Sequence, residues 1–444
     1  MRSKKWVLPL MMGAFANTQV RIVGSIGISE LLMCVIAPIV FVQNFSQLRK
    51  DGFGTWLFLV FLLNVGCIVS SIYNHTELEF ALRGFAATYS IFACTVCFYK
   101  VLRRDIGLFR FVLLGLAISS VLNIFAFHQG AEGAQAEALG GDVVENITNS
   151  TLFWIGRLLN WGMLPIYGWY LQTPMWYSIL APIGIAAYSI IGTGSGRSAA
   201  LGVIGSVFFV VVGGKSFRKM QRISKHLFSL LFGLIIVAFG LKAGYMALGK
   251  HGLLNEKQMA RYETQTEGGT QTSALSLLMH GRVEFFCGAY AAIQKPFCGY
   301  GPWPIDHDGL YVEFLSKYGG REDYEFAAKS YENSAVNGRV RWLPSHSQII
   351  QFWQWYGLPG LIYMIYILYI KLEYLKKYLH AIPQLYGYIA STTIAGLWHF
   401  IFSPYGNRVG VAVGCAVLLL NRAIAEGRVQ LPEYMVQDKF KYDN

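Results

Sequence analysis

Apolar stretches of about 20 residues, the length a helix needs to cross the hydrocarbon core of a bilayer, recur along this sequence from end to end. Twelve are predicted, at roughly 6–22, 27–46, 54–72, 82–99, 107–127, 152–171, 174–193, 199–213, 226–247, 348–370, 384–403 and 407–421. Charge agrees with that pattern, since 14% of the 444 residues are Asp, Glu, Lys or Arg, against about 25% in ordinary soluble domains. The first stretch follows Met1-Arg-Ser-Lys-Lys without an evident cleavage site and so reads as a spanning helix, although Asn17, Gln19 and Arg21 interrupt it. The stretches at 199–213 and 407–421 are short.

The formal charge of +12 does not point to nucleic acid, because the basic residues lie in short clusters between apolar stretches. Alternate connections hold 20 Lys and Arg, whereas the opposite short connections and their borders hold five: Arg21, Arg83, Arg157, Arg197 and Arg408. By the positive-inside bias both termini are cytoplasmic and the long 248–347 segment lies outside. The expectation is an all-α integral membrane protein of about 12 transmembrane helices. Residues 1–247 carry nine of them, 248–347 form one large outer (periplasmic) loop bearing an amphipathic helix, and 348–444 hold the last three and a cytoplasmic tail.

The loop carries pattern within its polarity. Val283, Phe286, Tyr290 and Ile293 recur at helical spacing, bracketed by Gly281 and Pro296, so an amphipathic helix on the membrane surface is predicted; its apolar face could equally pack on the helix bundle. Arg282 would stand at its first turn, where backbone N–H groups and a guanidinium can both face an anion. The loop ends in Pro344-Ser-His346-Ser-Gln, and the apolar run from Ile349 follows at once, so His346 sits where water meets lipid. A third cation is Arg197, in the tight turn Gly192-Thr-Gly-Ser-Gly-Arg197-Ser. An arginine on the outer side runs against the charge bias, though it could simply anchor a helix end. Two guanidiniums and an imidazole at one boundary can hold a diphosphate and activate a hydroxyl.

Other polar groups carry less. Five cysteines lie in apolar stretches as small hydrophobes; Cys287 and Cys298 share the loop, where a disulfide is open. Asp306-His307-Asp308 follows Pro302 and Pro304 and reads as a solvated turn. No zinc-ligand spacing is present. Glu30 and His399 are the main ionisable residues at membrane depth.

The succession of Gly-Ser-Gly-Arg197-Ser, Gly281-Arg282 with Pro296-Phe-Cys-Gly299-Tyr-Gly301, and Ser345-His346-Ser-Gln followed by Trp355-Tyr-Gly-Leu-Pro-Gly360-Leu resembles the O-antigen ligase and O-antigen polymerase superfamily, over about residues 185–370. The resemblance implies that Arg197 and Arg282 engage the diphosphate of an undecaprenyl-diphosphate-linked glycan donor, and that His346 activates the hydroxyl of an acceptor sugar. The acceptor would be lipid A-core for a ligase or a second lipid-linked glycan for a polymerase, at the outer face of a bacterial inner membrane, with membrane lipids as surroundings, no nucleic acid, no cofactor and no metal. The sequence departs from the family where it has Gly196-Arg197-Ser198 for a frequent Ser-Arg-Gly and His346-Ser347 for a frequent His-Asn, which leaves the choice of acceptor open. A polytopic transporter or flippase is the alternative from another class; it calls for midplane ionisable groups on related halves, and the sequence shows few such groups and no evident repeat.

Overall fold

The computed structural model describes residues 5–16, 18–21, 25–125, 251–252, 283–318, 328, 342–378, 381–382, 396–397, 400–401, 405 and 408–435. The predicted spans at 152–171, 174–193, 199–213 and 226–247, the connection 128–150 and most of 384–403 lie outside the described residues, as does His399.

The described chain is mostly helical, and four helices are long and apolar enough to cross a membrane: α2 (Ile28–Lys50), α3 (Gly54–Tyr73), α4 (Leu78–Leu102) and α10 (Arg408–Ala425). Leu32, Val35, Ile39 and Val42 of α2 and Phe58, Phe61, Ile68 and Ile72 of α3 are exposed. An apolar face of that extent is untenable in water and is what lipid requires. Short connections alternate the direction of α2, α3 and α4, and the α4 core side carries Cys94, Cys97, Val96 and Phe98, all buried.

The stretch 6–22 is corrected. It holds an eight-residue helix, α1 (Val7–Ala14), followed by an antiparallel pair, β1 (Gln19–Arg21) and β2 (Ser25–Gly27), with Val20 opposite Ile26. At 1.5 Å per residue α1 covers about 12 Å, well short of a bilayer core. Instead α1 packs closely on α5 (Phe109–Phe125), where Gly13 lies against the Val112 carbonyl and Gly115 against the Leu10 carbonyl. Only glycine lets two helix backbones approach so closely.

The stretch 348–370 is also divided. Gly357 adopts φ 65°, ψ −146° and breaks it into α8 (Gln348–Tyr356) and α9 (Leu358–Glu373), the latter opened by Pro359 near its N-terminus. Two helices of the loop complete the set, α6 (Val283–Gln294) and α7 (Leu310–Tyr318). At the end of the bundle away from these helices, Asp51 takes hydrogen bonds from Tyr99 (2.6 Å) and Arg103 (2.5 Å), and Lys100 donates to Asn44 (2.6 Å). Charge thus gathers at helix ends and leaves the spans apolar.

Candidate active site

The helix expected at 283–293 is present as α6, and its packing follows from its small residues. Cys287, Gly288, Ala291 and Ala292 are buried: Gly288 lies against Ile350 of α8, Ala291 clusters with Leu310 and Leu343, and Cys287, with Phe286 and Tyr290, meets Phe314 and Leu315 of α7. Of the predicted apolar stripe, Phe286 and Tyr290 thus pack on α7, whereas Ile293 is exposed. Burial pushes the Cys287 thiol up from its ordinary range, and Cys287 and Cys298 are both free thiols, so the open disulfide is not formed.

The end of the loop, residues 342–347, crosses α6 as an extended strap fixed at both ends. Before His346, Trp342 forms a β-bridge with Ile305, Leu343 N donates to the Pro304 carbonyl at 2.8 Å, and the Trp342 ring stands edge-on to Phe80 with centroids 4.8 Å apart. After it, buried Ser347 is the N-cap of α8, accepting from Ile350 N at 3.4 Å and donating to the Phe400 carbonyl at 3.2 Å. A hydroxyl there satisfies one of the orphan N–H groups of the first turn. The strap passes over Gly288, where an added Cβ would lie 3.0 Å from the Pro344 carbonyl and 3.4 Å from Ser345 Cα.

His346 is thereby set beside the first turn of α6, and its Nδ1 lies 2.7 Å from Oε2 of Glu284. Both side chains keep contact with solvent, at 29% and 38% exposure. Glu284 was not singled out by the sequence, because its partner is 62 positions away and a carboxylate in a first helical turn is ordinary dipole complementarity. Its one signal was position: it shares a helix face with Gly288, four residues on. Arg197, Arg282, Arg339 and Arg341 lie outside the described residues; in sequence Arg282 precedes Glu284 by two positions.

The two glycine motifs meet each other. Tyr300 N donates to the Gln354 carbonyl (2.7 Å), Gly301 N to that of Trp355 (3.1 Å), and Leu358 N to that of Phe297 (3.0 Å), while Trp353 Nε1 donates to the Pro296 carbonyl (3.1 Å). Gly299 has φ +67° and sits where a Cβ would lie 2.7 Å from the Gln354 carbonyl. Pro302 packs on Gly84 in α4 and Pro359 on Gly66 in α3. The loop is thus locked to the apolar bundle by backbone contacts that side chains would prevent. Lys295 supports the same junction, donating to Asn74 Oδ1 at 3.1 Å with its ammonium 4.4 Å from the centre of the Tyr300 ring.

The Asp306-His307-Asp308 turn departs from expectation at its first residue. His307 and Asp308 are exposed, but Asp306 is buried and accepts from Leu310 N (2.8 Å) and Tyr311 N (3.0 Å), holding the first turn of α7. Among the described residues no three His, Cys, Asp or Glu side chains converge as a metal-binding group. Glu30 is also engaged: Oε2 accepts from Gly27 N at 3.2 Å, and Oε1 pairs with Arg408 Nε at 2.8 Å. Comparison with protein-family models, with curated proteins and with solved structures finds no match to this chain.

Proposed function

We propose that this protein is a membrane glycosyltransferase that moves a glycan from an undecaprenyl-diphosphate-linked donor to an acceptor sugar at the outer face of the membrane, in the manner of the ligases and polymerases that its motifs resemble. The observation that carries the reading is the Glu284–His346 contact on a strap pinned at both ends, at the junction of a polar loop and an apolar bundle. A lipid-linked donor offers its diphosphate at that boundary. Glycan transfer there needs a proton acceptor and cations for the departing diphosphate. His346 accepts the proton of the acceptor hydroxyl while its oxygen bonds to the anomeric carbon. The bond from that carbon to the diphosphate breaks, and the electron pair leaves with the diphosphate, neutralised by Arg197 and Arg282. Glu30, in the first turn of α2, is held by Arg408 and Gly27, unlike the midplane carboxylate that a proton-coupled transport reading calls for.

The test measures release of undecaprenyl diphosphate from a purified undecaprenyl-diphosphate-linked oligosaccharide by the protein in detergent, with lipid A-core or a second donor molecule as acceptor. His346→Ala lowers release by about 10²–10⁴-fold without loss of donor binding. Arg197→Lys and Arg282→Lys each lower it by about 10²-fold, since an ammonium lacks the planar fork of a guanidinium. Wild-type release by His346→Ala would sink the reading.

A further inference from the structure

We infer that Glu284 is the positioning residue of His346, fixing its imidazole with the proton on Nδ1 and the Nε2 lone pair turned to the reacting hydroxyl; what Nε2 does there rests on the glycan-transfer reading, but the tautomer does not. An ionised carboxylate only accepts hydrogen bonds, so a Nδ1 held 2.7 Å from Glu284 Oε2 carries the hydrogen. Free imidazole in water favours the opposite tautomer, so the pairing changes which nitrogen is basic.

Two features separate this contact from a chance surface ion pair. The first is that both partners stand on fixed backbone. Gly288, one turn beyond Glu284, touches Pro344 and Ser345, and the residue after His346 is tied to Phe400 and caps α8. The second is energetic: with exposures of 29% and 38% the pair adds little to stability. Stability gives little reason for so constrained a contact, whereas orientation of a base requires it. Asp306, a second carboxylate near Cys287 of α6, holds two backbone N–H groups of α7. As the hydroxyl proton reaches Nε2, the ring becomes an imidazolium facing Glu284, and the carboxylate that oriented it also stabilises its charge. Serine proteases use an Asp in that way.

The test has two arms, both on the full-length protein in detergent. In the first, nitrogen NMR of protein labelled in histidine is recorded at roughly pH 9, above the ordinary histidine range, with His346 assigned by its absence in His346→Ala. Wild type shows the Nδ1–H form and Glu284→Ala shows the Nε2–H form; the same tautomer in both overturns the inference. In the second, release of undecaprenyl diphosphate is followed with the purified oligosaccharide donor. Glu284→Ala and Glu284→Gln lower kcat by roughly 10²-fold, less than the roughly 10⁴-fold known for a buried Asp–His pair, with KM for the donor nearly unchanged. Glu284→Asp recovers part of the loss. Wild-type kcat in both Glu284→Ala and Glu284→Gln overturns the positioning role. If the tautomer switches while His346→Ala still transfers at the wild-type rate, the glycan-transfer reading fails and the assignment of the tautomer stands.

Discussion

The Ser70 hydroxyl donates to the Trp355 carbonyl at 2.8 Å, across 285 positions of sequence, and the same oxygen receives the Gly301 N–H at 3.0 Å. One serine in the last turns of α3 therefore holds both glycine motifs at once, and Asn74 Nδ2, a turn later, donates to the Gly299 carbonyl at 3.0 Å.

Ser70→Ala removes both bonds, and a longer one from Asn74 Nδ2 at 3.5 Å, from a buried site. Gly301 N retains the Trp355 carbonyl at 3.1 Å, so no donor is orphaned, and the expected cost is about 0.5–1.5 kcal/mol. A lowered melting temperature with the helical circular dichroism unchanged is the expected result in detergent. A melting temperature equal to wild type would mean that the hydroxyl contributes nothing there.

The helices were legible where one element carried its own signal. Stretches predicted at 27–46, 54–72 and 82–99 correspond to Ile28–Lys50, Gly54–Tyr73 and Leu78–Leu102, and the loop helix at 283–293 to Val283–Gln294. Hydropathy over a window failed where one residue decides. Gly357 divides a continuous apolar run through its backbone angles, and an expected span at 6–22 holds a short helix and one strand of an antiparallel pair. The glycine motifs were visible as motifs, but their pairing was not, because backbone bonds between Gly299–Gly301 and Gln354–Leu358 leave no mark on side-chain pattern. Glu284 was hidden for a related reason: a first-turn acid has a local explanation, and only the fold brings His346 to it.

Gly357 supplies a sharper test. Its φ of 65° with ψ −146° is accessible in practice to glycine alone, and a Cβ would collide with the Phe297 carbonyl. Gly357→Ala adds backbone strain of about 1–3 kcal/mol to overpacking of about 1–3 kcal/mol, so the yield of monodisperse protein falls severely. Gly414→Ala in α10, where a Cβ meets nothing within 4 Å, serves as the control and behaves as wild type. Equal yields from the two variants would contradict the close motif contact.

Arg408 and Glu30 join the first turns of α10 and α2, with side-chain exposures of 21% and 4%. Removing the arginine leaves a buried carboxylate unpaired, which typically costs about 3–5 kcal/mol; water reaching the arginine position favours the low end. Glu30→Gln still accepts from Gly27 N and costs less. In the double variant Glu30→Gln with Arg408→Ala, part of the loss is recovered, giving a coupling of about 1–3 kcal/mol in thermal or denaturant unfolding. Strictly additive losses would show that the two residues act independently.

Cys287 and Cys298 report both on the packing of α6 and on the side of the membrane that the loop faces. Cys287 is buried and its thiol is pushed up by that burial, whereas Cys298 is half-buried in the glycine motif. The thiolate is the form that attacks a maleimide, and each step of one in pKa changes its fraction about tenfold at a given pH below the pKa. The contrast is read near neutrality, where burial keeps Cys287 protonated. In single-cysteine variants, a membrane-impermeant maleimide added to intact cells labels Cys298 at least about 10-fold faster than Cys287, and denaturation removes the difference. The orientation proposed from the 20-to-5 distribution of basic residues, with the loop outside, predicts that labelling of Cys298 proceeds without opening the cells. Labelling of Cys298 only in inverted membrane vesicles would reverse the orientation and remove the lipid-linked donor from the reach of His346; equal rates for the two thiols in folded protein would instead show that the Cys287 face of α6 is open rather than packed.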